Sequence, residues 1–168
     1  MYKDDTLLNR KPKKSRKIFV CLDEQRGQYL VDGLVAMDFP LSSGVKAYPT
    51  KTGDYTVISK KEDHASNLYG KMYDAEGKCI NYNAEATDPV PEGGRFDGSP
   101  MPYWQRLTNA GLGLHVGKVR RHPISHGCVR LPRNVAEILY KQTSVGTPVT
   151  IQRTPLPVPE AQKAPAVQ

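Results

Sequence analysis

Three of the four histidines (His115, His122, His126) and one of the three cysteines, Cys128, fall within the fourteen residues from 115 to 128. A cysteine attacks a carbonyl carbon as its thiolate, which is favoured by an imidazole that takes the proton and by local positive charge. This segment supplies both. His115 or His126 is placed to hold the proton, and residues 98–136 carry six cations (Arg106, Lys118, Arg120, Arg121, Arg130 and Arg133) with no Asp or Glu. Cys128 is therefore expected to titrate below an ordinary thiol. Gly127 lets the chain bend just before it, so that the sulfur projects and the amides of Gly127 and Cys128 face a developing oxyanion. The arrangement suits acyl transfer through a thioester.

The competing readings of these residues are weaker. A metal site built from His115, His122, His126 and Cys128 lacks Cys-x-x-Cys or His-Glu-x-x-His spacing and has no nearby carboxylate, so neither a metal nor another cofactor is expected. On spacing alone, His115 is equally a core histidine at the end of an apolar strand, and His126 a scaffold for the turn. Cys21 and Cys79 read as buried packing, and His64 and His122 as exposed bystanders.

The elements that must hold these side chains are mostly strands. Fourteen Gly and fourteen Pro punctuate short Val, Ile, Tyr and Thr runs, which disfavours a helical bundle. Strands are expected over 17–22, 28–31, 34–41, 54–59, 101–107, 112–116 and 148–152, and Asp32-Gly33 marks a tight hairpin because that pair tolerates positive φ. One helix is expected over 134–141, where Val135, Ile138, Leu139 and Gln142 recur at helical spacing between Pro132 and Gly146. Residues 61–100, rich in Gly, Asp, Asn and Pro, read as long loops with short strands.

The length of 168 residues suits one domain, and no apolar run approaches the roughly 18 residues of a membrane span. The formal charge of +7 is unevenly spread: residues 1–17 hold seven cations against two acids, a net +5. Residues 1–16 are expected to be a disordered basic arm, 17–152 the domain, and 153–168 a Pro-rich tail. The N-terminus lacks the apolar core of a signal peptide.

Ser125-His126-Gly127-Cys128-Val129-Arg130-Leu131-Pro132, with Leu114-His115-Val116-Gly117 upstream, resembles the active-site signature of the L,D-transpeptidase catalytic domain, a cysteine enzyme of bacterial peptidoglycan. The likeness extends to Met101-Pro102-Tyr103, Arg106-Leu107-Thr108, Ser43-Gly44, Pro49-Thr50, Gly53-Asp54-Tyr55 and Gly146-Thr147-Pro148-Val149, covering roughly residues 17–152. It implies a mainly β, sandwich-like single domain with one main α-helix after the catalytic cysteine. It implies Cys128 as nucleophile, His115 as proton acceptor and donor with the Val116 carbonyl orienting its ring, and Gly127 and Cys128 as oxyanion donors. Ser125 and His126 would shape the pocket, Arg130 would anchor a substrate carboxylate, and Tyr103 and Met101 would contact substrate. Two positions depart from the pattern: Arg120-Arg121 stands where such chains carry Pro-Gly, and Lys51 replaces a proline. Both bear on substrate preference and neither on the nucleophile.

The expected reaction is cysteine acyl transfer from a tetrapeptide stem, releasing D-alanine, to the amine of a second stem as a 3-3 cross-link or to another amine. The alternative within this chemistry is an L,D-carboxypeptidase, in which water takes the acyl group. An anionic-polymer-binding module is the alternative of another class. The expected partners are donor and acceptor stem peptides, with no nucleic acid. The chain is expected to be a monomer working outside the cytoplasmic membrane, its signal segment absent from this sequence, and Cys21 and Cys79 are expected to stay free thiols.

Overall fold

A computed structural model describes residues 1–159. The chain forms two compact units: Met1–Lys60 together with the chain from Tyr103 onward, and Lys61–Pro102. In chain order the first unit begins with β1 (Tyr2–Lys3), α1 (Asp5–Asn9), β2 (Arg16–Cys21), β3 (Arg26–Val31), β4 (Leu34–Pro40), β5 (Gly53–Thr56) and β6 (Ser59–Lys61). The second contains β7 (Ala65–Tyr73), β8 (Cys79–Glu85) and β9 (Arg95–Pro100). The first then resumes with β10 (Trp104–Arg106), β11 (Gly113–Val116), β12 (Val129–Leu131), α2 (Arg133–Gln142) and β13 (Pro148–Gln152). The protein is mainly β, as expected.

In the first unit a six-stranded sheet runs β1-β4-β3-β2-β13-β5 and a four-stranded sheet β12-β11-β10-β6. The hairpin at Asp32-Gly33 closes with Val31 opposite Leu34, and both turn residues have positive φ (50° and 79°). That geometry matches the twist of the flanking strands. Alternation on β2 turns Ile18 and Val20 inward, and β13 inserts Val149 and Ile151 beside them through a parallel pairing. α2 buries Val135, Ala136 and Leu139, and these join both sheets in one apolar cluster. Its C-terminal carbonyls are met by a cation: Lys60 donates to the carbonyls of Tyr140 and Thr143. A positive charge there complements the helix dipole.

Both ends of the chain depart from expectation. Residues 1–16 are not a disordered arm: Asp4 caps α1 by accepting the Leu7 amide at 3.0 Å, Tyr2 and Lys3 pair with β4, and Leu7 and Leu8 lie in the core. Two adjacent leucines on one short turn bury enough apolar surface to hold an otherwise charged segment in place. Leu8→Ala is expected to lower unfolding free energy by about 2–4 kcal/mol in urea titration; a loss under 0.5 kcal/mol would show that the segment is dispensable. Of the expected Pro-rich tail, residues 153–159 are docked. Leu156 is buried, its amide donates to Glu24, and the Pro157 carbonyl accepts from Arg26 and Gln28 at 2.6 Å each. Residues 160–168 lie outside the described residues.

Residues 61–100 differ as well. Instead of long loops they carry a three-stranded antiparallel sheet, β8-β7-β9, with Met72 and Ala84 buried. Its pairing shifts register at Gly70/Met72 and Met72/Tyr73, which breaks the strict alternation that would have made it readable. Cys79 on β8 is half-buried opposite Tyr73, so the expectation of full burial fails there, whereas Cys21 is fully buried. All three cysteines are free thiols.

Candidate active site

The decisive local geometry is the parallel pairing of β11 with β12, which places Leu114 opposite Val129, His115 opposite Arg130 and Val116 opposite Leu131. Cys128 sits one residue ahead of β12, two positions from the partner of His115. With strands about 4.8 Å apart and roughly 3.3 Å per residue, that offset brings the two Cα atoms to about 8 Å, within reach of facing side chains. Parallel strands cannot be joined by a tight turn. The long 117–128 connection is therefore what allows the cysteine to arrive beside the histidine.

His115 is buried at 6 % exposure, and its Nδ1 lies 2.7 Å from the Val116 carbonyl. A carbonyl only accepts, so Nδ1 carries the proton and Nε2 presents its lone pair. The Trp104 ring, 6.0 Å away between centroids, backs the imidazole. His115 is thus an imidazole whose ring is oriented by the Val116 carbonyl. His126 is exposed and packs on Tyr48 at 4.8 Å between ring centroids.

The Cys128 thiol donates to the Gly111 carbonyl at 3.2 Å. Burial pushes this thiol up; a backbone hydrogen bond from Gly113 and the charges of Arg130 and Arg106 pull the other way without overcoming it. The expectation of a depressed thiol is thus corrected, because desolvation of the half-buried sulfur outweighs the surrounding cations. Iodoacetamide alkylation of Cys128 is expected to rise with pH and reach half its maximum above roughly 8.5. A plateau already reached at neutral pH would instead mean a preformed thiolate.

The loop carrying the cysteine is bound to a second arm. Ser125, 3 % exposed, donates to the Cys128 carbonyl at 2.5 Å and accepts the Gly127 amide at 3.1 Å. The Gly127 amide, expected to face an oxyanion, is therefore engaged within its own turn. Thr50 spans the two arms, accepting the Gly44 amide at 2.8 Å and donating to the Gly127 carbonyl at 2.6 Å. Gly44 packs so closely that an added Cβ would lie 2.0 Å from the Tyr48 carbonyl oxygen and 2.8 Å from Gly127 Cα. Bridges from Ser42 to Arg130 and from Gly44 to Ser125 complete the contact.

Arg130, half-buried, lays its stem against Gly117, and burial lowers its pKa. A partly desolvated guanidinium is a strong receptor for a carboxylate. Arg106, on the neighbouring β10, is near enough for its charge to act on the same thiol and joins the candidate site; its signals in the sequence are the acid-free 98–136 segment and the Arg106-Leu107-Thr108 likeness. Tyr103 is partly buried against the core, edge-on to Tyr140 of α2 at 5.4 Å between centroids. Met101 belongs to the second unit, its amide bonded to the His64 carbonyl at 2.8 Å. Among the described residues no three His, Cys, Asp or Glu side chains gather as a metal site, and His122 is exposed.

Fold and site together define a mainly β domain with an oriented histidine on one strand and a cysteine immediately before the strand parallel to it. The YkuD family model, the L,D-transpeptidase catalytic domain, matches residues 15–151, and the chain belongs to that family. Probable L,D-transpeptidase 3 of Mycobacterium tuberculosis is 32 % identical over 120 residues, 67 % of this chain and 38 % of that protein. An L,D-transpeptidase from Mycobacterium smegmatis superposes with a TM-score of 0.63 at 23 % identity, covering 82 % of this chain and 58 % of that one. L,D-transpeptidase 3 from Mycobacterium tuberculosis in complex with a faropenem-derived adduct gives 0.62 at 24 %, covering 82 % and 60 %. The chain thus spans only part of these relatives' length.

Proposed function

We propose that the chain is the catalytic domain of a peptidoglycan L,D-transpeptidase working outside the cytoplasm, with Cys128 as nucleophile and His115 as base. The observation that carries this reading is the His115 Nδ1 bond to Val116, which leaves Nε2 as the accepting nitrogen of a ring on β11, the strand paired with β12 just after Cys128. The carbonyl of the third stem residue takes the sulfur while the thiol proton passes to Nε2. The Cys128 amide, following the unusual Gly127 φ of +121°, is the donor for the oxyanion. Collapse breaks the peptide bond, and His115 returns the proton to the departing D-alanine amine, leaving a thioester on Cys128. An acceptor amine then attacks that thioester, His115 takes the amine's proton, and the sulfur leaves to recover it. Arg130 and Arg106 receive stem carboxylates.

The test uses a disaccharide tetrapeptide, alone and with an acceptor amine, for wild type and Cys128→Ala. Wild type is expected to release D-alanine and form a cross-linked dimer, and Cys128→Ala to do neither. Tripeptide as the sole product would identify a carboxypeptidase, with water as acceptor. Faropenem should add one covalent adduct to the intact mass of wild type and none to Cys128→Ala. An adduct on the variant would place the nucleophile elsewhere.

A further inference from the structure

The basic N-terminal segment does not serve the site described above, yet it is held in a defined place. Asp32, at the tip of the β3–β4 hairpin, accepts the Lys14 and Ser15 amides at 2.7 and 2.9 Å and pairs with Arg10 at 3.1 Å. Those bonds fasten the Lys11–Ser15 turn against the tip. They use one carboxylate for one of the segment's cations, and Lys3 is paired with Asp5. Among the described residues no carboxylate pairs with Lys11, Lys13, Lys14, Arg16 or Lys17, although Lys13 donates to the Arg10 carbonyl at 3.0 Å and Lys17 lies over the Phe19 ring. The charges are crowded: Lys13 is pushed below its ordinary range by partial burial first and then by Arg16 and Lys11. Holding like charges together with no acid to neutralise them is unfavourable unless an anion is there to meet them.

The same tip exposes an aliphatic side chain. Leu34 is 52 % exposed, and the β-ladder sets it across Val31 from Arg16. A soluble polyanion would meet the lysines and gain nothing from Leu34. A bilayer offers both a plane of phosphate charge and apolar chains beneath it, the pairing that interfacial segments use.

We infer that the Lys11–Ser15 turn, with Arg16 at the start of β2, and the Asp32–Leu34 hairpin tip form a docking surface for an anionic phospholipid bilayer. Attraction of this kind is screened within about a Debye length, so it weakens as salt rises. The experiment is sedimentation of the full chain with vesicles of phosphatidylcholine alone and of phosphatidylcholine with phosphatidylglycerol, at rising salt. Polyphosphate titration is the parallel arm. Binding is expected only with phosphatidylglycerol present and should fall with salt. The Lys11→Gln/Lys13→Gln/Lys14→Gln triple variant should bind about 100-fold less tightly. Leu34→Ser should weaken vesicle binding several-fold and leave polyphosphate binding unchanged. Thermal midpoint and faropenem acylation, both unchanged in these variants, serve as fold controls, and a variant that fails them is replaced by single Lys→Gln changes. Equal binding to both vesicle types, or binding unaffected by the triple variant, would overturn the inference. Polyphosphate binding as tight as vesicle binding, with Leu34→Ser inert, would reassign the patch to a soluble polyanion.

Discussion

His115→Gln is expected to lower kcat/KM for D-alanine release by about 10³-fold, within the 10² to 10⁴ that a positioned acid–base group contributes. The cost is large because the Cys128 thiol is held up by burial and bonded to a carbonyl, so it does not ionise spontaneously at neutral pH. Without an acceptor for its proton the sulfur remains a thiol. The sign of the pH dependence follows from the raised thiol: residual activity of the variant should climb with pH until the thiol ionises unaided. Glutamine retains a donor for the Val116 carbonyl, so a loss of packing alone would leave activity within tenfold of wild type. That outcome would remove His115 from the reaction.

Gly44→Ala is expected to reduce kcat/KM by about 10²-fold while costing about 1–3 kcal/mol of stability. Its Cβ would meet backbone on both sides, the Tyr48 carbonyl at 2.0 Å and the Gly127 Cα and N at 2.8 and 2.9 Å, and backbone cannot swing aside as a side chain can. The two arms must part, which breaks the Thr50 bridge and moves Gly127, directly before Cys128. Gly33→Ala provides the contrast. It has nothing within 4 Å but a φ of +79°, so it should cost about 1 kcal/mol through backbone strain and leave catalysis unchanged. Steady-state kinetics and urea unfolding of both variants separate the two effects. Equal losses of activity would mean that Gly44 acts only through stability.

Much of the site was legible because its chemistry is local. Cys128, Gly127, Ser125 and the nearby His115 lie within fourteen residues, and few residue types combine a thiol with a base and a flexible preceding position. The hairpin at Asp32-Gly33 and the helix near 134–141 were readable for a similar reason, since turn chemistry and helical spacing operate over a few residues. The arm from Gly44 to Thr50 was visible only as fragments of a resemblance, because its partner Gly127 lies 77 residues away from Thr50. The sheet over 61–100 was hidden by its register shifts. The order of the first sixteen residues was hidden because two buried leucines stand among many charges.

Residue type and short-range spacing in the sequence singled out Cys128 as the candidate nucleophile, left His115 and His126 as candidates for its proton, and pointed to a framework of mostly strands. The tertiary structure decided which histidine is oriented and which way the thiol titrates. It also decided that the Gly127 amide is engaged by Ser125, that Arg106 joins the site and that the basic segment is a fixed surface. These depend on burial and on contacts between strands far apart in sequence. The same six cations that predict a low thiol pKa are overruled once the sulfur is withdrawn from water.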